Sequence, residues 1–323
     1  MTVLSFISNL WSRLVGIFGT VVMATAVIAA AAAVFERCVL ARRQKEAGQK
    51  DSGKAGRKKK GQESGIKRIA VITGASSGLG VNYAKKISQR AGKYKVDEIW
   101  LIARRKERLE ALAADLRIPA RVLPMDLTVK EELENFGKLL SDEDSKNTFF
   151  SVSVLINCAG YGKYGSSAQL GHDEECGMID VNDRAAVCMT DIALPYMHRG
   201  SRILNISSVA AFQPIPLFNA YAASKSFIYS YSRALRIELM DRGISVTTVC
   251  PYWVRDTEFI ETAAGEKRHF FLSSTADSVT RVSLYDMRHC HALSTPNILS
   301  TLDRVFAGMI PDELLAYVMK KFL

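Results

Sequence analysis

The chain has 323 residues, of which 48% are hydrophobic and 24% charged. It is therefore too apolar for a disordered protein and long enough for one large domain with an appendage. The net charge of +10 is concentrated in residues 36–68, where 12 basic residues face four acidic ones, whereas residues 69–323 are almost neutral. A neutral body argues against nucleic acid as a partner.

The six cysteines show no CxxC pair and no regular spacing. This pattern argues against a disulfide framework and against a structural zinc site, so we expect reduced cysteines in a cytosol-facing domain. His289, Cys290 and His291 form a short cluster, but three adjacent residues rarely converge on one metal ion. We interpret them as ordinary side chains at a helix end and predict no metal site.

Residues 14–35, LVGIFGTVVMATAVIAAAAAVF, contain no charge. These 22 residues, at ~1.5 Å per residue, are enough to cross a ~30 Å hydrocarbon core, so they predict a transmembrane helix. A cleaved signal peptide is the alternative, favoured by the small residues 29–33. The length of the segment, the single preceding Arg13 and the basic block after it favour an uncleaved anchor with the body of the protein in the cytoplasm.

The predicted organisation is an anchor over residues 1–41, a basic flexible linker over 42–66 and one large folded domain over 67–323. The linker is rich in Lys, Gly, Ser and Gln and has no apolar periodicity. Its run Lys58, Lys59, Lys60 could attract anionic lipid headgroups. We favour the simpler interpretation of a topology signal, with lipid attraction as a by-product.

An apolar run at residues 68–73, RIAVIT, predicts a strand buried on both faces of a parallel sheet. The sequence TGASSGLG follows at residues 73–80 and leads into a helical pattern over 81–90. Such a turn presents backbone N–H groups and a helix start to a diphosphate, where a Cβ would obstruct close approach. The candidate binding residues of this turn are Gly74, Ser76, Ser77, Gly78, Leu79 and Gly80.

Further apolar strands are predicted at residues 98–103, 120–125, 152–157, 202–206 and 244–249, separated by helical patterns such as 106–116. This alternation predicts an α/β fold, a Rossmann-type doubly wound parallel sheet with helices on both faces. Ligands of such sheets bind beyond the carboxyl ends of the strands.

Several motifs lie at those strand ends in a fixed order. After TGASSGLG come MDLT at 125–128, NCAG at 157–160, VN at 181–182, NISS at 205–208 and YAASK at 221–225. From about residue 67 to residue 257 the chain resembles the short-chain dehydrogenase/reductase family. It is most similar to membrane-anchored members of the hydroxysteroid and 3-oxoacyl reductase types.

Tyr221 and Lys225 are four residues apart, so a helix would place them on one face. A neighbouring ammonium favours the phenolate and lowers the pKa of a tyrosine, which is ordinarily near 10. The resemblance implies that Tyr221 exchanges the proton with the substrate oxygen and that Lys225 lowers its pKa and holds the nicotinamide ribose. It further implies that Ser208 hydrogen-bonds the substrate oxygen and that Asn182 holds the water that reprotonates Lys225. An ordinary surface pair is the alternative for Tyr221 and Lys225.

Cofactor choice is predicted from the end of the second strand, where Ala103 is followed by Arg104 and Arg105 with no acidic residue. A guanidinium suits a 2′-phosphate, so NADP(H) is favoured over NAD(H). Arg104 is the better candidate, because Arg105 continues a charged helix surface. The resemblance adds a further set of cofactor contacts: Asp126, Leu127, Asn157, Ala159, Gly160, Tyr221, Lys225, Pro251 and Thr257.

The chain departs from the family pattern at two places. Cys158 stands where an asparagine is commoner, a change we expect to be tolerated. The Pro-Gly usual after the sixth strand is replaced by Pro251, Tyr252 and Trp253, which alters the expected backbone path toward Thr257 and its predicted contact with the nicotinamide amide. Tyr252 and Trp253 either line the substrate side or pack in the core.

Residues 258–323 are expected to form a substrate lid and a C-terminal helical region. The run RHFFL at 268–272 would make an apolar lid that suits a hydrophobic ketone or alcohol. Residues 302–323 have helical spacing on both sides of Pro311, so this tail either packs on the domain or lies on the membrane surface.

The sequence therefore predicts an NADP(H)-dependent oxidoreductase that interconverts a ketone and a secondary alcohol on a lipophilic substrate delivered from the membrane. A steroid, a bile acid and a long-chain 3-oxoacyl derivative all fit, and a homo-oligomer is compatible with the fold. The alternatives are a catalytically silent NADP(H)-binding sensor and an adaptor that binds polyanions through the linker. A sensor would not need the acid–base set of Asn182, Ser208, Tyr221 and Lys225.

Overall fold

The computed structural model describes residues 65–265 and 273–322. Its strands are β1 (Ile66–Thr73), β2 (Glu98–Ala103), β3 (Ala120–Pro124), β4 (Phe149–Asn157), β5 (Arg202–Ile206), β6 (Ser245–Val249) and β7 (Leu293–Ser294). The α-helices of the first half are α1 (Gly78–Ser88), α2 (Ala91–Tyr94), α3 (Lys106–Ala114), α4 (Lys130–Lys146), α5 (Ser167–Ile179) and α6 (Ala185–Ala193). Those of the second half are α7 (Asn219–Glu238), α8 (Phe259–Ala264), α9 (Ala276–Arg288), α10 (Ile298–Ala307) and α11 (Asp312–Phe322).

The seven strands form one parallel sheet in the order β3-β2-β1-β4-β5-β6-β7. The strand order reverses between β1 and β4, which makes the crevice beyond their carboxyl ends the expected ligand site. The predicted Rossmann-type sheet is confirmed. Its edge strand β7 has only two residues, too few to leave a periodic signal in the sequence.

Alternate residues of β1 face opposite sides of the sheet because side chains in a strand alternate. Ala70 and Ile72 pack in one core with side chains of α1, α3 and α9, whereas Ile69 and Val71 pack in a second core with side chains of α4, α6 and α7. Burial on both faces explains why the strand is apolar at every position.

Within residues 65–265 and 273–322, no helix combines the length and the hydropathy needed to cross a membrane. The predicted anchor at 14–35, the linker up to residue 64 and the RHFFL run at 268–272 lie outside the described residues, so these predictions stay untested.

The C-terminal region consists of α10 and α11, on either side of Pro311. Both helices leave large apolar side chains exposed. These are Ile298, Leu302, Val305 and Phe306 on α10, and Leu314, Tyr317 and Val318 on α11.

Candidate active site

Three positions in the turn after β1 disfavour a side chain. Gly74 has a φ of 67°, and a Cβ there would lie 2.8 Å from the backbone nitrogen of Ala159. A Cβ on Gly80 would overlap the carbonyl of Gly74. Gly78 also has a positive φ, of 51°. Only glycine fits these three positions without strain, and the lack of side chains there leaves the backbone open to a ligand.

Helix α1 begins at Gly78, within the turn, and the side chain of Ser77 does not cap its first-turn N–H groups. Leu79 packs against the core beneath the helix, while Ser76 accepts a hydrogen bond of 3.2 Å from Nε of Arg105. An uncapped helix start beside glycines fits a diphosphate group.

Thr73 joins this turn to the end of β4. Its Oγ1 accepts hydrogen bonds of 3.0 Å from the backbone N–H groups of Cys158 and Ala159. Gly160 follows, and a Cβ there would lie 2.8 Å from Oδ1 of Asn182 and 3.3 Å from Nζ of Lys225. We call the edge bounded by the glycine turn 74–80, Gly160 and Lys225 the dinucleotide cleft.

Arg104 and Arg105 after β2 are both exposed, but their surroundings differ. Arg105 pairs with Glu258 at 3.1 Å, whereas Arg104 faces the carboxylate of Asp126. Burial raises the pKa of Asp126, but the hydrogen bonds from Thr128 and the charge of Arg104 outweigh it, so the net pKa is lowered. Leu127, next to it, is buried. Arg104 is thus the arginine with the freer guanidinium for an anionic ligand.

Asn157 is buried beneath the cleft. Its Nδ2 donates to Oδ1 of Asn205 at 2.9 Å and to Oγ1 of Thr190 at 3.1 Å, and Nδ2 of Asn205 donates to Oγ of Ser232 at 2.8 Å. The side chains of Asn157 and Asn205 together therefore link β4 and β5 to the helices α6 and α7.

Asn182 lies in a π-helical turn, Asp180–Arg184, between α5 and α6. Its Oδ1 accepts from the N–H of Tyr161 at 2.9 Å, and its Nδ2 donates to the carbonyl of Tyr161 at 2.9 Å and to Oγ of Ser224 at 3.0 Å. These bonds fix the turn against α7, and π-turns are frequent at functional sites.

Tyr221 and Lys225 lie on one face of α7, as their spacing predicts. Nζ of Lys225 is 5.5 Å from the centre of the Tyr221 ring and donates to the carbonyl of Ile206 at 3.1 Å. Ile206 is the last residue of β5, and Ser208 follows it in the chain. Ser208 hydrogen-bonds the Tyr221 side chain. The predicted acid–base residues are thus brought together at the carboxyl edge of the sheet.

Aromatic rings enclose Tyr221. Phe218 stacks on it with ring centres 4.3 Å apart, and Phe259 of α8 lies 5.4 Å away. The ring centre of Tyr164 lies 6.2 Å from that of Phe218. Neither phenylalanine is part of a motif, so the sequence offered no signal for them beyond their aromatic character.

Burial raises the pKa of Tyr221 above its ordinary value, although the hydrogen bond with Ser208 opposes this and the nearby Cys250 adds to it. The expected lowering by Lys225 is not what this structure shows, because the aromatic enclosure penalises the phenolate. Burial also lowers the pKa of Lys225 to about 8, against the opposing effects of Asp183, Cys158 and Cys250.

Asp183 is a functional candidate that the motif analysis missed. It is 6% exposed, and its Oδ1 is buried without a hydrogen-bond partner among the described atoms. Burial raises the pKa of this carboxyl to about 7, opposed by the charge of Lys225. The sequence signal for it was weak, an acid directly after Asn182 within the polar run DVNDR at residues 180–184.

The segment after β6 runs back toward the glycine turn. The carbonyl of Pro251 accepts from the N–H of Val209 at 3.2 Å, and Oγ1 of Thr257 donates to the carbonyl of Val254 at 3.0 Å. Cγ2 of Thr257 is 3.3 Å from the position that a Cβ on Gly78 would take. Despite the missing glycine, Thr257 reaches the cleft.

The two aromatic residues of this segment have different surroundings. Trp253 packs against the cluster that contains Tyr221 and Phe218. Tyr252 is half-buried, and burial raises its pKa, with a smaller contribution from the Asp303 carboxylate. Trp253 is therefore placed on the side of Tyr221, while Tyr252 faces α10.

The described residues contain no group of three or more His, Cys, Asp or Glu side chains placed to bind a metal. His289, Cys290 and His291 follow the end of α9, and Nδ1 of His291 pairs with Oδ1 of Asp286 at 2.8 Å. The glycine turn and the uncapped helix, by contrast, fit a dinucleotide.

Comparisons with known proteins agree with this geometry. Residues 68–267 match the family model described as short chain dehydrogenase. An uncharacterized oxidoreductase of Staphylococcus epidermidis is 33% identical over 215 residues, which are 66% of this chain and 89% of the relative. A very-long-chain 3-oxoacyl-CoA reductase of Anas platyrhynchos is 32% identical over 200 residues, which are 59% of this chain and 61% of the relative.

Among solved structures, a short-chain dehydrogenase of Sphingobium yanoikuyae in complex with NADPH is similar, with a TM-score of 0.63 and 28% identity. The match covers 75% of this chain and 94% of that one. Since the family model spans well over half of the sequence, the chain belongs to the short-chain dehydrogenase family and is an NAD(P)(H)-dependent oxidoreductase.

Proposed function

We propose that this protein is an NADP(H)-dependent oxidoreductase that interconverts a ketone and a secondary alcohol on a lipophilic substrate. The observation that carries the proposal is the convergence of Ser208, Tyr221 and Lys225 at the cleft, with Tyr221 enclosed by aromatic rings. The bound cofactor supplies or accepts the hydride.

Tyr221 serves as the proton donor when the substrate is a ketone. Because burial raises its pKa, the phenol keeps its proton at neutral pH and donates it to the carbonyl oxygen as negative charge develops there. Ser208 donates a second hydrogen bond to the same oxygen and orients the substrate. Lys225, charged below a pKa of about 8, favours the phenolate left after proton transfer.

The substrate is hydrophobic. Phe218 and Phe259 pack against Tyr221 and Trp253 packs against the same cluster, and such an apolar wall favours apolar groups over a sugar. The long-chain 3-oxoacyl-CoA named for the duck relative is one substrate of this class, and steroids and bile acids are others.

The preferred cofactor is NADP(H). Arg104 lies at the end of β2, no acidic residue stands there to bind ribose hydroxyls, and a guanidinium suits a 2′-phosphate. Similar solved structures include an NADPH complex and an NADH complex, so the proposal rests on Arg104.

The protein is anchored in a membrane by residues 14–35 with its catalytic domain in the cytoplasm. The basic block that follows this segment and the exposed apolar side chains of α10 and α11 both suit a domain held at a lipid surface. Alkaline washing should leave the full chain in the membrane pellet, and external protease should spare the catalytic domain in sealed cells. A secreted species beginning near residue 33 would instead identify a signal peptide.

The enzymatic proposal is tested by a panel of lipophilic ketones and alcohols, with the absorbance of the reduced nicotinamide as the signal. We expect turnover of at least one apolar ketone with NADPH. Dinucleotide binding without turnover across the panel would favour the silent sensor. Size-exclusion chromatography with light scattering would show whether the enzyme is a homo-oligomer.

A further inference from the structure

The segment that links β6 to α8 crosses the cleft and ends at an ionic contact. Glu258 accepts hydrogen bonds from the guanidinium of Arg105 at 3.1 Å and from that of Arg108 at 2.6 Å. Arg105 follows β2 and Glu258 follows β6, and in the sheet these two strands are separated by β1, β4 and β5. A contact between them must therefore span the edge at which the dinucleotide binds.

The same segment is fixed at several other points. The Asp256 carboxylate accepts from the N–H of Ala276 at 2.6 Å, and the N–H of Arg255 donates to the carbonyl of Ser274 at 3.0 Å. Thr257 lies against Gly78, and Phe259 lies against Tyr221. Glu258 thus lies between Thr257, which contacts the glycine turn, and Phe259, which contacts Tyr221. Restraining Glu258 therefore also restrains these two neighbours.

Arg105 is committed to this contact. Its Nε donates to Oγ of Ser76 at 3.2 Å while its NH1 pairs with Glu258, so the side chain links the glycine turn to the crossing segment. The two guanidinium groups also lower the pKa of Glu258 below its ordinary value, Arg108 most, so the carboxylate is charged at neutral pH. Within the described residues, the arginines that bond Glu258 are Arg105 and Arg108, not Arg104.

We propose that the ion pairs of Glu258 with Arg105 and Arg108 form a strap that retains the bound dinucleotide, by holding residues 251–264 across the cleft. The inference rests on the proposed function only in that a dinucleotide occupies the cleft. The strap does not include Arg104, the arginine assigned to the 2′-phosphate. Its loss therefore speeds the release of both cofactors by similar factors.

The test uses the full chain in detergent and compares Glu258→Gln with Glu261→Gln, a matched change at an exposed position of α8. Dissociation rates of NADPH and NADH are measured by stopped-flow fluorescence. Exposed ion pairs contribute weakly, so we expect Glu258→Gln to speed both releases only about twofold to tenfold. Glu261→Gln should leave both unchanged.

A second readout needs no cofactor. Amide hydrogen exchange in α8 should be faster in Glu258→Gln than in the wild type, and unchanged in Glu261→Gln. The variant Arg108→Gln removes one of the two pairs and keeps that of Arg105. It should therefore speed exchange and release less than Glu258→Gln does.

Three results would overturn the strap. Unchanged release in Glu258→Gln would show that the ion pairs retain nothing, even if exchange in α8 rises. If Glu258→Gln bound NADPH more tightly than the wild type but bound NADH unchanged, Glu258 would be competing with the 2′-phosphate for Arg105 and Arg108. If the wild type bound neither dinucleotide, both the strap and the proposed function would be wrong. The exchange experiment would still report whether Glu258 restrains α8.

Discussion

The ammonium of Lys225 lies 5.5 Å from the centre of the Tyr221 ring, and both side chains are at most 6% exposed. Burial opposes the charged form of each group, so their protonation depends on the few charges nearby. For Lys225 the first of these is Asp183, followed by Cys158 and Cys250. The carboxyl group of Asp183 is therefore expected to set the pH range in which the pair works.

The first prediction concerns pH. Burial lowers the pKa of Lys225 to about 8, and Asp183 counteracts this. In Asp183→Asn the counteracting charge is gone, so Lys225 loses its proton at lower pH and the alkaline limb of the kcat/KM profile should move to lower pH. Asp191→Asn, an exposed change on α6, is the control. An alkaline limb that stays in place in Asp183→Asn would show that this carboxyl does not act on Lys225.

The second prediction concerns the glycine turn. Gly74→Ala must place a Cβ 2.8 Å from the backbone of Ala159 at a positive φ, so it should reduce the free energy of unfolding by roughly 2 kcal/mol or more and weaken dinucleotide binding. In Gly92→Ala the new Cβ meets nothing within 4 Å, so that variant should be neutral or slightly stabilised. Denaturant titration of both variants provides the comparison, and equal stabilities would contradict the packing argument.

The third prediction concerns the cofactor. Arg104→Ala should weaken NADPH binding by about 1.5–3 kcal/mol, the scale of a charge-assisted hydrogen bond, while NADH binding changes little. Titration calorimetry measures both, with the exposed Arg117→Ala as the control. A wild type that binds NADH more tightly than NADPH would contradict the assignment.

The sheet and most of the site could be predicted because they depend on local signals. The bounds of β2 and β5 follow from their apolar runs, and Tyr221 and Lys225 meet because a helix turn repeats every 3.6 residues. Asp183, Phe259 and Glu258 could not be placed in this way. Their positions depend on contacts between segments far apart in the chain, such as the 150 residues between Arg108 and Glu258.

The pKa of the Tyr221 phenol differs in direction from the one that its spacing from Lys225 predicted. The spacing of Tyr221 and Lys225 predicted a lowered phenol pKa, whereas Phe218 and Phe259 close around the ring and the pKa is raised. Spacing specifies which side chains meet, but the dielectric around them depends on residues that no motif contains.

The most direct test of the account is the turnover of Tyr221→Phe with NADPH and a lipophilic ketone that the wild type reduces. Loss of a general acid typically lowers kcat by ~10²–10⁴, so we expect a decrease of at least ~100-fold with NADPH binding retained. Tyr285→Phe, an exposed tyrosine on α9, should keep wild-type activity. Near-normal turnover by Tyr221→Phe would contradict the role of Tyr221 as the proton donor.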